Sequence, residues 1–229
     1  MSCARWASPP SNSQRRCKLV LTLHHLDNSR SQKIVWLLEE LELPYTLIRH
    51  ERDAVTLMGP PALKAVHPLG KAPVLDDDGQ MLCESGAIVE YLLSRYGHGR
   101  LAPDPAGPDH MRFLECLYFA VSAGMNPVMF KVYARAFGLV GEPIDQAAAG
   151  ELDCALDYVE TLLATREWLM GDRFTAADIQ MSFVPELAQV IGAFTGHATI
   201  AAWQQRLYAR PAFHRTIERG GTYDFAHPV

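Results

Sequence analysis

The chain has 229 residues, of which 48% are hydrophobic, and it carries a formal net charge of −5. This is enough apolar material for one large or two modest domains. The acidic balance gives no sign of nucleic-acid binding. No run approaches the roughly 18 uncharged apolar residues that a transmembrane helix needs, so no membrane span is predicted.

The five cysteines are odd in number, widely spaced and without a C-x-x-C motif. This argues against a zinc site and against a disulfide framework, and it favours a reducing compartment, so a cytoplasmic location is predicted. Cys83, Cys116 and Cys154 lie in apolar patterns and are interpreted as core residues.

Residues 1–17 contain three arginines, no acidic residue and several Ser, Pro and Asn. They lack the apolar stretch of a signal peptide. Their composition resembles that of a transit peptide, but the segment is short. It is interpreted as a disordered extension, or as the result of a start codon placed too early.

Residues 18–97 are predicted to form an α/β domain. A strand (18–24) is followed by a helix (31–42), in which Ile34, Leu37, Leu38 and Leu41 recur at helical spacing and which Pro44 ends. A second strand (45–49) and a short helix (60–66) come next. A hairpin with an Asp-Gly turn then leads into a helix that begins near Ser85. The resulting order, β-α-β-α-β-β-α, is the thioredoxin-like order.

Residues 98–108 are rich in glycine and proline and are predicted to be a linker. No strand pattern follows them. Five helices are predicted, over 110–137 with an interruption near Pro127, 151–163, 175–194, 200–208 and 211–219. They form an all-α bundle over 109–222, followed by a tail over 223–229. Thr175 and Asp178 have the spacing of a capping box.

Two features of residues 67–92 suggest ligand binding. If the Ala72-Pro73 bond is cis, the amide and carbonyl of Ala72 face outward and can pair with an extended peptide; base rates favour trans. Ser85 occupies an expected N-cap position, where free N–H groups suit a carboxylate, and Glu84 beside it suits an amine. Together they fit an α-amino acid head group. The alternative is an ordinary capped helix.

The combination of GKAPVL (70–75), the Asp-Gly hairpin and Glu-Ser at a helix start resembles the cytosolic glutathione transferase family. The resemblance extends over about 18–220 and includes the Thr175-x-x-Asp178 segment, Trp203 and Arg210-Pro211-Ala212. It implies glutathione as co-substrate, a homodimer joined between unlike domains, and a role in detoxification. The glutathione-binding residues that it implies are Lys71, Ala72, Pro73, Glu84 and Ser85.

The loop between the first strand and the first helix contains Asn28, Ser29, Arg30 and Ser31 in place of a redox C-x-x-C. It resembles the loop of bacterial and fungal transferases that carry a serine there. A bound thiol must become a thiolate, which hydroxyl or amide donors, a nearby arginine and a helix N-terminus can stabilise without a general base. Ser29 is the predicted catalytic donor and Asn28 the alternative, while Ser31 is interpreted as a possible helix cap.

The second substrate is predicted to be a small apolar electrophile, with Tyr118 and Met125 as candidate pocket residues; both also fit a core. No metal is predicted, because His24 and His25 are adjacent in a strand and point to opposite faces. Two alternatives to the transferase reaction stay open. One is glutathione-dependent disulfide or peroxide reduction, which an Asn28-centred site favours. The other is a non-catalytic ligand carrier or assembly module.

Overall fold

The computed structural model describes residues 20–53, 56 and 58–226. The interpretation of residues 1–17 therefore lies outside the described residues, as does the start of the first predicted strand. The elements up to residue 96 follow the predicted order. They are β1 (Leu21–Leu26), α1 (Ser31–Glu40), β2 (Tyr45–His50), α2 (Pro61–Val66), β3 (Val74–Asp77), β4 (Gln80–Cys83) and α3 (Ser85–Tyr96).

The four strands form one mixed sheet in the order β2-β1-β3-β4. β1 and β2 are parallel, as the helical connection through α1 requires. β3 and β4 form the predicted hairpin, in which Asp77 pairs with Gln80 across the turn. α1 is buried from Ser31 to Glu39 because it packs against the sheet, α3 and the helices of the second half. The thioredoxin-like prediction is confirmed.

Six helices, instead of the predicted five, form the second half of the described chain. They are α4 (His110–Phe119), α5 (Met125–Ala136), α6 (Pro143–Leu163), α7 (Ala176–Val190), α8 (Ala198–Tyr208) and α9 (Pro211–Gly220). The predicted helix over 110–137 is divided before Pro127, which lies in the first turn of α5. A proline is tolerated there because the N–H it lacks has no partner within the helix.

α6 begins at Pro143, eight residues before the predicted start. The prediction relied on an apolar stripe whose first member is Leu152. The preceding turns contain alanines, which favour a helix without forming a stripe of large apolar residues. Cys154 lies on the exposed face of α6, away from Leu152 and Leu156, so its interpretation as a core residue is wrong. Cys116 is buried as predicted, and Cys83 is partly buried.

The predicted capping box at the start of α7 is confirmed. The Thr175 hydroxyl accepts from the Ala177 amide at 3.3 Å, and the Asp178 carboxylate accepts from the Thr175 amide at 2.9 Å. Asp178 also accepts from the Trp203 indole at 3.0 Å, which ties α7 to α8. α7 is therefore the buried centre of the helical half. None of the helices in the described ranges is long and apolar enough to cross a membrane.

Candidate functional site

Strand register brings three separate segments to one edge of the sheet. His24 near the end of β1 pairs with Val74 at the start of β3, and Val74 pairs in turn with Cys83 at the end of β4. The loop after β1, the Ala72-Pro73 bond before β3 and Glu84 after β4 therefore lie at the same edge. These are the segments in which the sequence predicted a binding site.

The Ala72-Pro73 peptide bond is cis. Pro73 is buried and Lys71 is exposed. In the described part of the chain, the amide and carbonyl of Ala72 form no hydrogen bond with another residue. The backbone of Ala72 is thus available to pair with an extended ligand at the end of β3.

The start of α3 differs by one residue from the prediction. The helix begins at Ser85, and the N-cap position belongs to Glu84, whose backbone has φ 73° and ψ 115°. The Glu84 carbonyl accepts from the Ile88 amide at 2.9 Å. No described residue accepts a hydrogen bond from the amides of Ser85, Gly86 and Ala87. These three N–H groups, at the positive end of a twelve-residue helix, suit a carboxylate.

Ser29 belongs to a closed hydrogen-bond network beneath the first loop. It is 8% exposed, its hydroxyl donates to the Leu26 carbonyl at 2.7 Å, and its oxygen lies 2.7 Å from the Ser31 oxygen. Ser31 does not cap α1 with its side chain; Arg30 is the N-cap residue. The Ser31 hydroxyl lies 2.7 Å from Nδ1 of His25, and it is Ser31 that continues the network inward.

His25 is fully buried, and its Nε2 lies 3.0 Å from the Gly220 carbonyl. A carbonyl can only accept, so Nε2 carries the proton and Nδ1 accepts from Ser31. Burial lowers the pKa of His25 to about 4, and the neutral imidazole fits this arrangement. His25 thereby connects the loop to the end of α9, a contact that the sequence did not indicate.

Asn28 is held by the C-terminal segment, residues 221–226. Its side-chain amide donates to the Asp224 carboxylate at 2.8 Å and its side-chain oxygen accepts from the Asp224 amide at 2.8 Å. Its backbone amide donates to the Thr222 carbonyl at 3.3 Å. Asn28 has a left-handed backbone (φ 51°), which asparagine tolerates better than most residues. The sequence gave no signal for this pairing.

Arg52 and two unpaired backbone amides border the loop. Arg52 donates to the backbone carbonyls of Asp27 at 3.0 Å and Asn28 at 2.8 Å. The amides of Ser29 and Arg30 donate to no described residue. The loop therefore offers backbone N–H groups at the N-terminus of α1, an arrangement that stabilises an anion.

The two candidate pocket residues lie in different environments. Tyr118 on α4 is 49% exposed, and its hydroxyl donates to Glu90 of α3 at 2.7 Å. Met125 is 3% exposed and belongs to the hydrophobic core. The position of Met125 favours packing within the helical half over contact with a ligand.

His24 and His25 point to opposite faces of the sheet, as predicted. His24 contacts His50 of β2, with Nδ1 and Nε2 3.1 Å apart, whereas His25 contacts Ser31 on the other side. Within residues 20–53, 56 and 58–226, no group of three or more His, Cys, Asp and Glu side chains could hold a metal ion.

Comparison with known proteins decides the family. Residues 23–103 match the family model of the glutathione S-transferase N-terminal domain, and residues 125–211 match that of the C-terminal domain. Glutathione S-transferase 3 of Schizosaccharomyces pombe is 32% identical over 216 residues, which cover 87% of this chain and 88% of the relative. The chain belongs to the glutathione S-transferase family.

Further relatives agree with this assignment. Glutathione S-transferase GstB of Escherichia coli K12 is 30% identical over 211 residues, covering 86% of this chain and 98% of the relative. The crystal structure of a glutathione S-transferase from Actinobacillus pleuropneumoniae superposes with a TM-score of 0.82 at 29% identity, covering 90% of this chain and 96% of that chain. The prediction that this chain is a glutathione transferase is confirmed.

Proposed function

We propose that this transferase binds glutathione at the sheet edge described above and adds its thiolate to a small apolar electrophile. The observation that carries the proposal is that the unpaired backbone of Ala72 and the unpaired first amides of two helices, α1 and α3, lie at the same sheet edge. The cis Ala72-Pro73 segment suits the extended cysteinyl part of the peptide. The first turn of α3, with Glu84 beside it, suits the carboxylate and amine of the γ-glutamyl group. Lys71 is proposed to pair with the glycyl carboxylate.

The thiolate is proposed to lie at the loop that precedes α1. A free thiol has a pKa of about 8.5, and lowering it to about 6.5 requires about 2.7 kcal/mol of preferential stabilisation of the anion. The Ser29 hydroxyl, the unpaired amides at the start of α1 and the positive charges of Arg30 and Arg52 can supply it together. No general base is needed.

Ser29 is favoured over Asn28 as the side-chain donor. Both hydrogen-bonding ends of the Asn28 side chain bind Asp224, so its reorientation breaks two bonds. The Ser29 hydroxyl can turn from the Leu26 carbonyl to a thiolate by a rotation about one bond. The alternative of disulfide or peroxide reduction, which rested on an Asn28-centred site, is correspondingly less favoured.

The test is the pH dependence of thiolate absorbance for glutathione bound to the wild type, Ser29→Ala and Asn28→Ala. We expect a depressed thiol pKa in the wild type, a pKa near that of free glutathione in Ser29→Ala, and little change in Asn28→Ala. If only Asn28→Ala restores the free value, the reductase or peroxidase reaction replaces the transferase reaction. Binding without a depressed pKa contradicts the catalytic assignment and favours a ligand carrier.

The remaining features of the proposal come from family membership and from the sequence itself: the domain division also rests on the Gly- and Pro-rich composition of residues 98–108, and the cytoplasmic location on the cysteine usage. They are a homodimer joined between unlike domains, a cytoplasmic detoxification role, and the division into a thioredoxin-like domain (18–97), a linker (98–108) and an all-α domain (109–222). Tyr118 is the exposed member of the proposed electrophile pocket. Gel filtration with light scattering tests the dimer.

A further inference from the structure

Gln180 connects the helical half of the protein to the first turn of α3. It lies on α7, two residues after the capping box, and is fully buried. Its side-chain Nε2 donates to the Ser85 hydroxyl oxygen at 3.3 Å. Its backbone carbonyl accepts from Nζ of Lys33 on α1 at 3.1 Å. α1, α3 and α7 thus meet at this one residue.

The hydrogen bond from Gln180 limits the directions in which the Ser85 hydroxyl proton can point. The Ser85 oxygen accepts the amide proton, and no described residue accepts the proton of the serine hydroxyl. A serine hydroxyl has one proton, and it must point away from a group that is donating to it. The free amides of Ser85, Gly86 and Ala87 are in the same helical turn. The hydroxyl proton is therefore available to an acceptor other than Gln180, in the same turn as these three amides.

The side-chain oxygen of Gln180 suggests that this residue serves a function beyond stability. Its Oε1 is buried and has no hydrogen-bond partner within the described residues. An unpaired buried polar atom destabilises a protein, whereas an apolar side chain of the same shape avoids the penalty. A glutamine kept at the centre of α7 with half of its amide unpaired is poorly explained by stability alone.

We propose that Gln180 is a positioning residue for glutathione, which directs the Ser85 hydroxyl proton toward the γ-glutamyl carboxylate from the opposite half of the protein. This inference rests on the proposed glutathione site. It adds Gln180 to the proposed site, although Gln180 is 95 positions away in the sequence from Ser85, through which it acts. Gln180 itself does not touch the reacting sulfur, so its effect falls on binding of glutathione and not on the chemical step.

The experiment compares the wild type with Gln180→Met, Ser85→Ala and the double variant. Methionine keeps the length of glutamine and removes both polar ends. We expect Gln180→Met to weaken glutathione binding and raise its KM about ten-fold, with kcat at saturating glutathione changed less than two-fold. Because Gln180 acts through Ser85, the double variant should bind glutathione no more weakly than Ser85→Ala alone. The melting temperature of Gln180→Met should equal or exceed that of the wild type.

Gln204→Met is the matched control. Gln204 is also a buried glutamine of the helical half, but it binds Gln189 and Tyr208 instead of Ser85. Its substitution should leave the affinity for glutathione unchanged. Wild-type affinity in Gln180→Met, or losses that add in the double variant, would overturn the positioning role. A wild type that does not bind glutathione would instead overturn the proposed function, so the two failures are distinguishable.

Discussion

Burial of His25 beneath the first loop predicts a pH-dependent stability. Burial is the largest cause that lowers the pKa of this imidazole from 6.5 to about 4; the Asp27 carboxylate raises it, and Arg49 and His50 lower it further. The unfolded chain therefore binds a proton at a higher pH than the native protein does. The stability from neutral His25 is fully present above pH 6.5 and is lost as the pH falls toward 4. Between about pH 7.5 and about pH 5 the loss should be about 2 kcal/mol.

The measurement is urea unfolding, followed by tryptophan fluorescence, at a series of pH values for the wild type and His25→Asn. Asparagine places its amide near the position of Nδ1, so it can still accept from Ser31 but cannot titrate. The variant should be less stable at neutral pH because the Gly220 carbonyl loses its donor, and this deficit should shrink as the pH falls. Other groups, including Glu186, titrate equally in both proteins and cancel in the difference. Parallel stability curves would refute the reasoning.

Two further predictions concern the helical half. Asp178→Ala should lower the free energy of unfolding by about 3 kcal/mol or more, because it leaves buried backbone and indole N–H groups without an acceptor; chemical denaturation measures this loss. Cys154→Ser should remove a fast-reacting thiol from native protein treated with an aromatic disulfide reagent, since Cys154 is exposed. Cys116→Ser should leave the fast phase unchanged, because burial raises the pKa of the Cys116 thiol to about 12; a fast reaction at Cys116 would contradict this.

The α/β half of the fold was predictable because its signals are local. The Asp-Gly turn, the proline before β3 and the apolar spacing in α1 each act within a few residues, and together they specify the order of strands and helices. The helical half was less predictable where the local signal was weak. Alanine-rich turns hid the start of α6, and the position of Pro127 did not reveal that the break in the helix precedes it.

In the candidate site, too, the residues with a local sequence signal were predictable and the contacts without one were not. Ser29, Ala72 and Ser85 could be proposed from the sequence because each lies at the end of a strand or helix, and strand register brings such ends together. Asp224 binds Asn28 across 196 residues, and Gly220 accepts from His25 across 195. No periodicity or motif in the sequence predicts either contact. Both depend on how the end of α9 and the segment after it pack against the first loop.

Glu84 shows why such a site departs from local rules. Its backbone, at φ 73° and ψ 115°, lies outside the regions that residues other than glycine prefer. Glycine would adopt this conformation more easily. A strained residue persists only where the surrounding structure fixes it, and such residues cluster at ligand sites. At Glu84 this conformation turns the chain from β4 directly into α3 and leaves the first amides of the helix at the sheet edge. Glu84 and the half-paired amide of Gln180 both reduce stability. Glu84 is the N-cap residue of α3, and Gln180 on α7 contacts Ser85 in the first turn of α3. Both observations at this turn support the proposal that it binds glutathione.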